Sequence, residues 1–300
     1  MTKVRSGDSS MIDDRRGQGG GRGGGGGGLS LPGGLGGLGG IKAGGGALGI
    51  ILMLAALFLP KLLGGTAQTG SLGGSSDASQ SAEVADGTCS SELEQIVCGA
   101  TVDAQTYWQT GLPKFFGTPY RTTKTVFFSG AVGTNCGQAT SQTGPFYCPA
   151  DEFVYIDLDF LQQLESQLVG TTSDLAEQYI VAHEYGHHVQ NVLGTNAQVQ
   201  RAQQNDPDRA NQYSVALELQ ADCYAGVWVG DVAVRGLLDN ASEINEALKA
   251  AEGVGDDRIQ GGNADPDTFT HGTSAQRQGW FQRGFDTLDP RTCDTFSEIV

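Results

Sequence analysis

Along residues 91–285, apolar positions recur every three or four residues in several separate stretches, the spacing of helices that bury one face. Ser91–Leu112 sets Leu93, Ile96, Val97, Val102 and Tyr107 on that rhythm, with Trp108 beside them. Phe160–Leu168, Ser242–Ala251 and Ser274–Phe285 carry the same spacing. Two longer helices are predicted between them, one ending at Gly194 as a C-cap and one covering about Asp208–Val232. Start signals agree: Asp174-x-x-Glu177 and Thr273-x-x-Gln276 resemble capping boxes, and Asp206-Pro207 offers a cap and a first-turn proline. Lys124–Ser129 (KTVFFS) and Phe153–Asp157 (FVYID) are β-branched and aromatic and read as short strands. Phe153–Asp157 is placed in the core, with pairing to an extended substrate as the alternative use. The pattern predicts an α+β fold, mainly helical with a small sheet.

The first 88 residues break this pattern. Residues 1–42 include the run RRGQGGGRGGGGGG, which buries too little apolar surface to offset its ordering entropy, and the whole segment is predicted disordered. Ala43–Pro60 is 18 residues without a charge, bracketed by Lys42 and Lys61. That is long enough to cross a bilayer, so residues 43–63 are predicted to be a transmembrane signal anchor. Residues 64–88, rich in Gly, Ser and Thr, read as a flexible linker, which leaves 89–300 as the folded domain.

Charge gives the anchor a direction. Residues 1–42 hold six basic and three acidic groups, whereas the remainder holds 12 basic and 31 acidic ones. By the positive-inside tendency the N-terminus is expected in the cytoplasm and the domain outside. The acidic body argues against nucleic acid as a partner. All six cysteines follow residue 88, as an oxidising compartment would favour, and the expected pairs are Cys89 with Cys98, Cys136 with Cys148 and Cys223 with Cys293.

The chemistry concentrates in Val181–Gln190, VAHEYGHHVQ. His183 and His187 stand four apart, one turn above each other on one helix face, so both imidazoles can point at a single ion. Glu184 sits one residue round, where it can reach a water without being a ligand. A catalytic zinc needs a third protein ligand and an open fourth position. Position 193 is Leu rather than His and position 190 is Gln rather than Gly, which excludes the metzincin arrangement. Asp206 and Asp208 are accounted for as helix-start residues. Glu218, in the apolar stretch VALELQADCYAGVW, is an expensive charge unless it is paired or metal-bound, and it is the expected third ligand. Asp222, one turn on, suits the acceptor for the free ring N–H of a zinc histidine. Cys223 lies about 140° from Glu218 around the helix, too far to share the ion.

His183-Glu184-x-x-His187 followed by Glu218-x-x-x-Asp222 resembles the gluzincin pattern. GPFYCPAD (Gly144–Asp151), AHEYGHHVQ, ELQADCYAGVW and HGTSAQR (His271–Arg277) are similar to the bacterial membrane-anchored neutral zinc metallopeptidase family over nearly the whole chain. The resemblance implies a zincin-like domain, Zn2+ held by His183, His187 and Glu218, Glu184 as catalytic residue, and a peptide or protein substrate. For the oxyanion of the tetrahedral intermediate, His271 is the candidate donor and Arg277 the second. Two other functions compete with peptide hydrolysis: a membrane-tethered binding or assembly factor that holds zinc without cleaving, and an RNA-associated protein working through its Gly/Arg start. The intact Glu184 disfavours the former and the few arginines disfavour the latter.

Overall fold

The computed structural model describes residues 2–17, 88–168, 173–240, 242–261 and 264–297. In chain order these form β1 (Ile12–Asp14), α1 (Glu92–Phe116), β2 (Thr125–Phe128), β3 (Ala131–Thr134), β4 (Gly137–Thr140), β5 (Phe146–Cys148) and β6 (Phe153–Asp157). The helices α2 (Leu158–Leu168), α3 (Asp174–Leu193), α4 (Thr195–Asn205), α5 (Ala210–Val234), α6 (Glu243–Gly253), α7 (Asp256–Ile259) and α8 (Ser274–Thr287) follow. The fold is therefore mainly helical with a small sheet, as the pattern predicts.

The sheet has the order β1-β2-β6-β5, parallel except for the antiparallel pair β5–β6, and β3–β4 form a separate hairpin. Phe153–Asp157 is therefore an interior strand and pairs on both sides, with Val154 opposite Thr125 and Tyr147. The open edge beside it belongs to β5. Val154 and Ile156 face the main core with Phe127, while Tyr155 and Phe153 face a second cluster under the hairpin. This alternation is the period-2 geometry of a strand covered on both faces.

Helix α3 carries the histidine motif and packs on the sheet through Tyr185, whose hydroxyl lies 3.0 Å from that of Thr125. Its N-cap is Ser173, one residue before the expected Asp174, because the Ser173 hydroxyl accepts the Ala176 N–H at 3.4 Å. Asp174 is turned instead to Arg5, 2.6 Å away. Gly194 ends the helix in the left-handed conformation, φ 80°, as the sequence predicts. Helix α5 is buried nearly all round and packs against both α3 and α8. The crossing of α3 and α5 is close: a Cβ at Gly186 would sit 2.9 Å from the Ala221 carbonyl. Only glycine fits there, and the fit sets α5 directly beside the motif.

Residues 2–17 correct the expectation of a disordered start. Val4 and Ile12 are buried, β1 adds a parallel strand to β2, and Thr125 N–H donates to the Met11 carbonyl at 3.0 Å. The glycine run begins only after this arm, and the few apolar side chains ahead of it suffice because they enter a groove already built by other elements. The folded body is thus 2–17 together with 88–297. Residues 18–87, with the expected span and linker, lie outside the described residues. No helix among the described residues is long and apolar enough to cross a membrane.

The three disulfides pair as expected: Cys89–Cys98, Cys136–Cys148 and Cys223–Cys293. The last spans 70 residues and ties α5 to the C-terminal segment. Replacing Cys223 and Cys293 together by Ala should lower unfolding stability by about 2–5 kcal/mol. Urea titration would show this as a fall in midpoint; an unchanged midpoint would mean that the cross-link does not constrain the unfolded chain.

Candidate metal centre

Helical periodicity brings His183 and His187 to one face of α3, with ring centroids 4.8 Å apart and planes nearly perpendicular. The Gly186–Ala221 crossing carries α5 past that face and delivers Glu218. Its Oε2 lies 3.1 Å from His183 Nε2 and its Oε1 lies 3.4 Å from His187 Nε2. One ligand atom from each residue falls within 4.8 Å of the others. His183, Glu184 and Glu218 are buried and His187 is nearly so. Among the described residues this is the group of His, Cys, Asp and Glu whose geometry could hold an ion.

Each imidazole is fixed from behind. His183 Nδ1 donates to Asp222 Oδ1 at 2.8 Å, which leaves Nε2 turned to the cluster. His187 Nδ1 donates to Gln190 Oε1 at 2.9 Å. Gln190 in turn donates to the Leu217 carbonyl at 2.7 Å and to Gln220 Oε1 at 3.1 Å, on α5. Gln190 escaped the sequence reading, which used it only to exclude the metzincins. Its signal was there: an amide three residues past a candidate ligand, on the buried side of its helix.

Asp222 is fully buried and accepts from four donors. The Tyr179 hydroxyl donates at 2.6 Å, and Arg277 donates through Nε at 2.7 Å and Nη2 at 2.9 Å, besides His183. Arg277 Nη1 donates to the Val254 carbonyl at 3.2 Å. The guanidinium is therefore committed to holding Asp222 and does not offer itself to an oxyanion. That corrects its place as second oxyanion candidate. His271 stands elsewhere, in the loop between α7 and α8. Its Nδ1 donates to Asp256 Oδ1 at 3.1 Å, and Asp256 Oδ2 accepts the backbone N–H groups of Thr270, His271 and Gly272. Gly272 lies against Val215 and Leu219, so this loop borders the stretch of α5 that carries Glu218. His188 faces away from the cluster. Its Nε2 donates to the Arg121 carbonyl at 2.6 Å and its Nδ1 accepts from Tyr147 at 3.0 Å, fastening β5 to α3.

The electrostatics follow from charges shut away from water. Burial pushes the His183 imidazole down, but the Asp222 and Glu218 carboxylates outweigh it and raise its pKa to about 10. His187 is raised despite burial, mainly by Glu218. Asp222, which burial alone would raise, is drawn down to about 2 by Arg277 and His183, and Glu218 is held well below the usual carboxylate range by both histidines. Glu184 goes the other way: burial raises it, with the histidines opposing.

Two imidazoles and one carboxylate, each imidazole oriented by an acceptor on its far nitrogen, form a donor set and supporting shell that fit zinc. A sequence family described as "Putative neutral zinc metallopeptidase" matches residues 1–296. The chain belongs to this family. Uncharacterized protein YpfJ of Escherichia coli (strain K12) is 39% identical over 297 residues, 98% of each chain. Uncharacterized protein Mb2605 of Mycobacterium bovis is 45% identical over 235 residues, 74% of this chain and 76% of its own. No solved structure matches. The family implies Zn2+ as the cofactor, and the residues present fit it.

Metal uptake should be coupled to proton release. With His183 raised to about 10, its Nε2 carries a proton at neutral pH in the metal-free protein, and that proton must leave before the nitrogen can bind metal. Zinc affinity is expected to tighten about tenfold per pH unit for each proton displaced, up to the raised pKa. Calorimetry at pH 7 in buffers of different ionisation enthalpy should count at least one proton released per zinc. A count of zero would mean that His183 is neutral before zinc arrives.

Proposed function

We propose that this chain is a zinc-dependent peptidase that hydrolyses peptide bonds, with Glu184 as general base. The observation that carries the reading is Glu184 itself: a buried carboxylate with a raised pKa beside a donor set of three side chains, His183, His187 and Glu218. A structural zinc site is closed by four protein ligands and has no use for such a base. When bound, zinc supplies Lewis-acid polarisation of a carbonyl and brings the pKa of a bound water to about 7.

The remaining work falls to the chain's own residues. Glu184 accepts a proton from the attacking water as its oxygen bonds to the carbonyl carbon. It then returns that proton to the amine nitrogen as the C–N bond breaks, giving a carboxylic acid and an amine, and the acid's proton then passes to the amine. Asp222, Tyr179 and Arg277 hold His183 in one tautomer throughout, and Gln190 does the same for His187. His271, whose Nδ1 donates to Asp256, has Nε2 left for the substrate, and it can donate to the developing oxyanion only when both ring nitrogens carry a proton. The substrate is a peptide or protein, and an extended backbone would pair with the open edge of β5, which His188 and Tyr147 fasten to α3. The three disulfides support an oxidising compartment outside the cytoplasm, and the apolar run Ala43–Pro60 supports attachment to a membrane.

Glu184→Gln should keep full zinc occupancy while casein hydrolysis falls about 10²–10⁴-fold. Glu218→Ala should instead lose zinc. Unchanged hydrolysis in Glu184→Gln would sink the peptidase reading.

His271→Ala should lower kcat about 10²–10³-fold with zinc content and KM little changed. A loss confined to KM would remove His271 from the transition state and leave it a substrate contact.

A further inference from the structure

The described chain breaks off after Gly17 and resumes at Thr88, and these two points are neighbours. The Thr88 hydroxyl donates to Asp14 Oδ2 at 3.1 Å. Arg16 pairs with Asp14 at 2.5 Å and with Glu94, in the first turn of α1, at 2.5 Å. The 70 residues from 18 to 87 therefore start and finish at one place on one body.

The arm that ends at Gly17 is held along its length. Lys3 N–H donates to the Leu237 carbonyl at 2.8 Å and Ser6 N–H to the Gln95 carbonyl at 3.0 Å. Gln178 Nε2 donates to the Val4 carbonyl at 2.6 Å, and Arg5 pairs with Asp174 at 2.6 Å. The groove is shaped for this backbone: a Cβ at Gly99 of α1 would lie 2.6 Å from both Arg5 Cα and the Val4 carbonyl oxygen.

Between the two points the sequence carries Ala43–Pro60, the uncharged run bracketed by Lys42 and Lys61. A single crossing there puts residues 2–17 and 88–297 on opposite faces of the bilayer. The arm must then leave its groove, which uncovers Val4 and Ile12, takes the acceptor from Thr125 N–H and leaves the nearly buried Glu94 without Arg16. An unpaired buried charge is costly. Keeping the groove filled would require a Gly/Ser-rich flank to recross the hydrocarbon with unsatisfied backbone groups, which lipid does not tolerate.

We infer that residues 2–17 and 88–297 occupy the same side of the membrane. The face carrying Asp14, Arg16, Gly17 and Thr88 is then the one turned to the bilayer. This replaces the single-pass arrangement expected from charge, and it stands whether or not the chain cleaves peptides.

All six native cysteines are paired, so one added cysteine in the full-length chain is the sole free thiol. Ser9→Cys marks the exposed part of the arm and Gln109→Cys an exposed position of α1. A membrane-impermeant maleimide applied to intact cells, and again after detergent, should modify the two to equal extents under both conditions, with the protein in the membrane pellet. If one is modified in intact cells and the other only after detergent, or if the protein is wholly soluble, the inference is overturned. Docking is read separately on detergent-solubilised full-length protein. Val4→Cys should react about tenfold more slowly than the same thiol in Val4→Cys with Gly99→Val, where the added side chain expels the arm. Equal rates would overturn the inference as well, by showing that the arm does not occupy its groove.

Discussion

Asp222 is the interaction on which the centre depends. It lies fully buried on α5, and two other helices address it: α3 through Tyr179 and His183, and α8 through Arg277. A carboxylate in that position is tolerable only because a guanidinium meets it with two hydrogen bonds and its remaining lone pairs are filled. The arrangement joins three helices and fixes a metal-facing imidazole with the same four donors. Stability and the metal centre therefore share one set of atoms, and Arg277 serves the centre through Asp222.

The balance of charge explains why the centre suits a divalent cation. Glu184, Glu218 and Asp222 are three acids within two neighbouring helices, and Arg277 compensates one of them. Both imidazoles face Glu218, which raises them against the effect of burial. A zinc ion held by His183, His187 and Glu218 would supply the remaining positive charge. The cluster is thus assembled in advance, and metal binding exchanges one set of positive charges for another with no need to gather distant side chains.

Much of this was legible in the residues. The His183–His187 spacing, Glu218 as a charge stranded in an apolar helix, Asp222 one turn on and the three cysteine pairs all rest on local rules, and the structure obeys them. What escaped depended on partners far away in sequence. Residues 2–17 look like a polar tail because Val4 and Ile12 acquire meaning only against α1 and β2, more than ninety positions on. Helix α4 has little apolar periodicity and follows directly on the α3 cap, so no pattern announces it. Arg277 reads as a second oxyanion donor until α8 is seen to lie on Asp222. The core placement of Phe153–Asp157 holds, but its partner β5, a strand of three residues, is too short to show a period.

Gln190 shows how far such support extends. It holds His187 from behind and takes its own position from Gln220, whose amide donates to the Cys293 carbonyl at 2.9 Å. Cys293 is bonded to Cys223, which lies on α5 between Asp222 and the Gly226 crossing with α8. One imidazole is therefore oriented by a charged, water-excluded network and the other by a run of amides ending at a disulfide. The two supports differ in what disturbs them. A charge lost at Arg277 acts on His183, whereas a C-terminal segment released from Cys223 acts on His187, so the two metal-binding nitrogens are secured by independent parts of the fold.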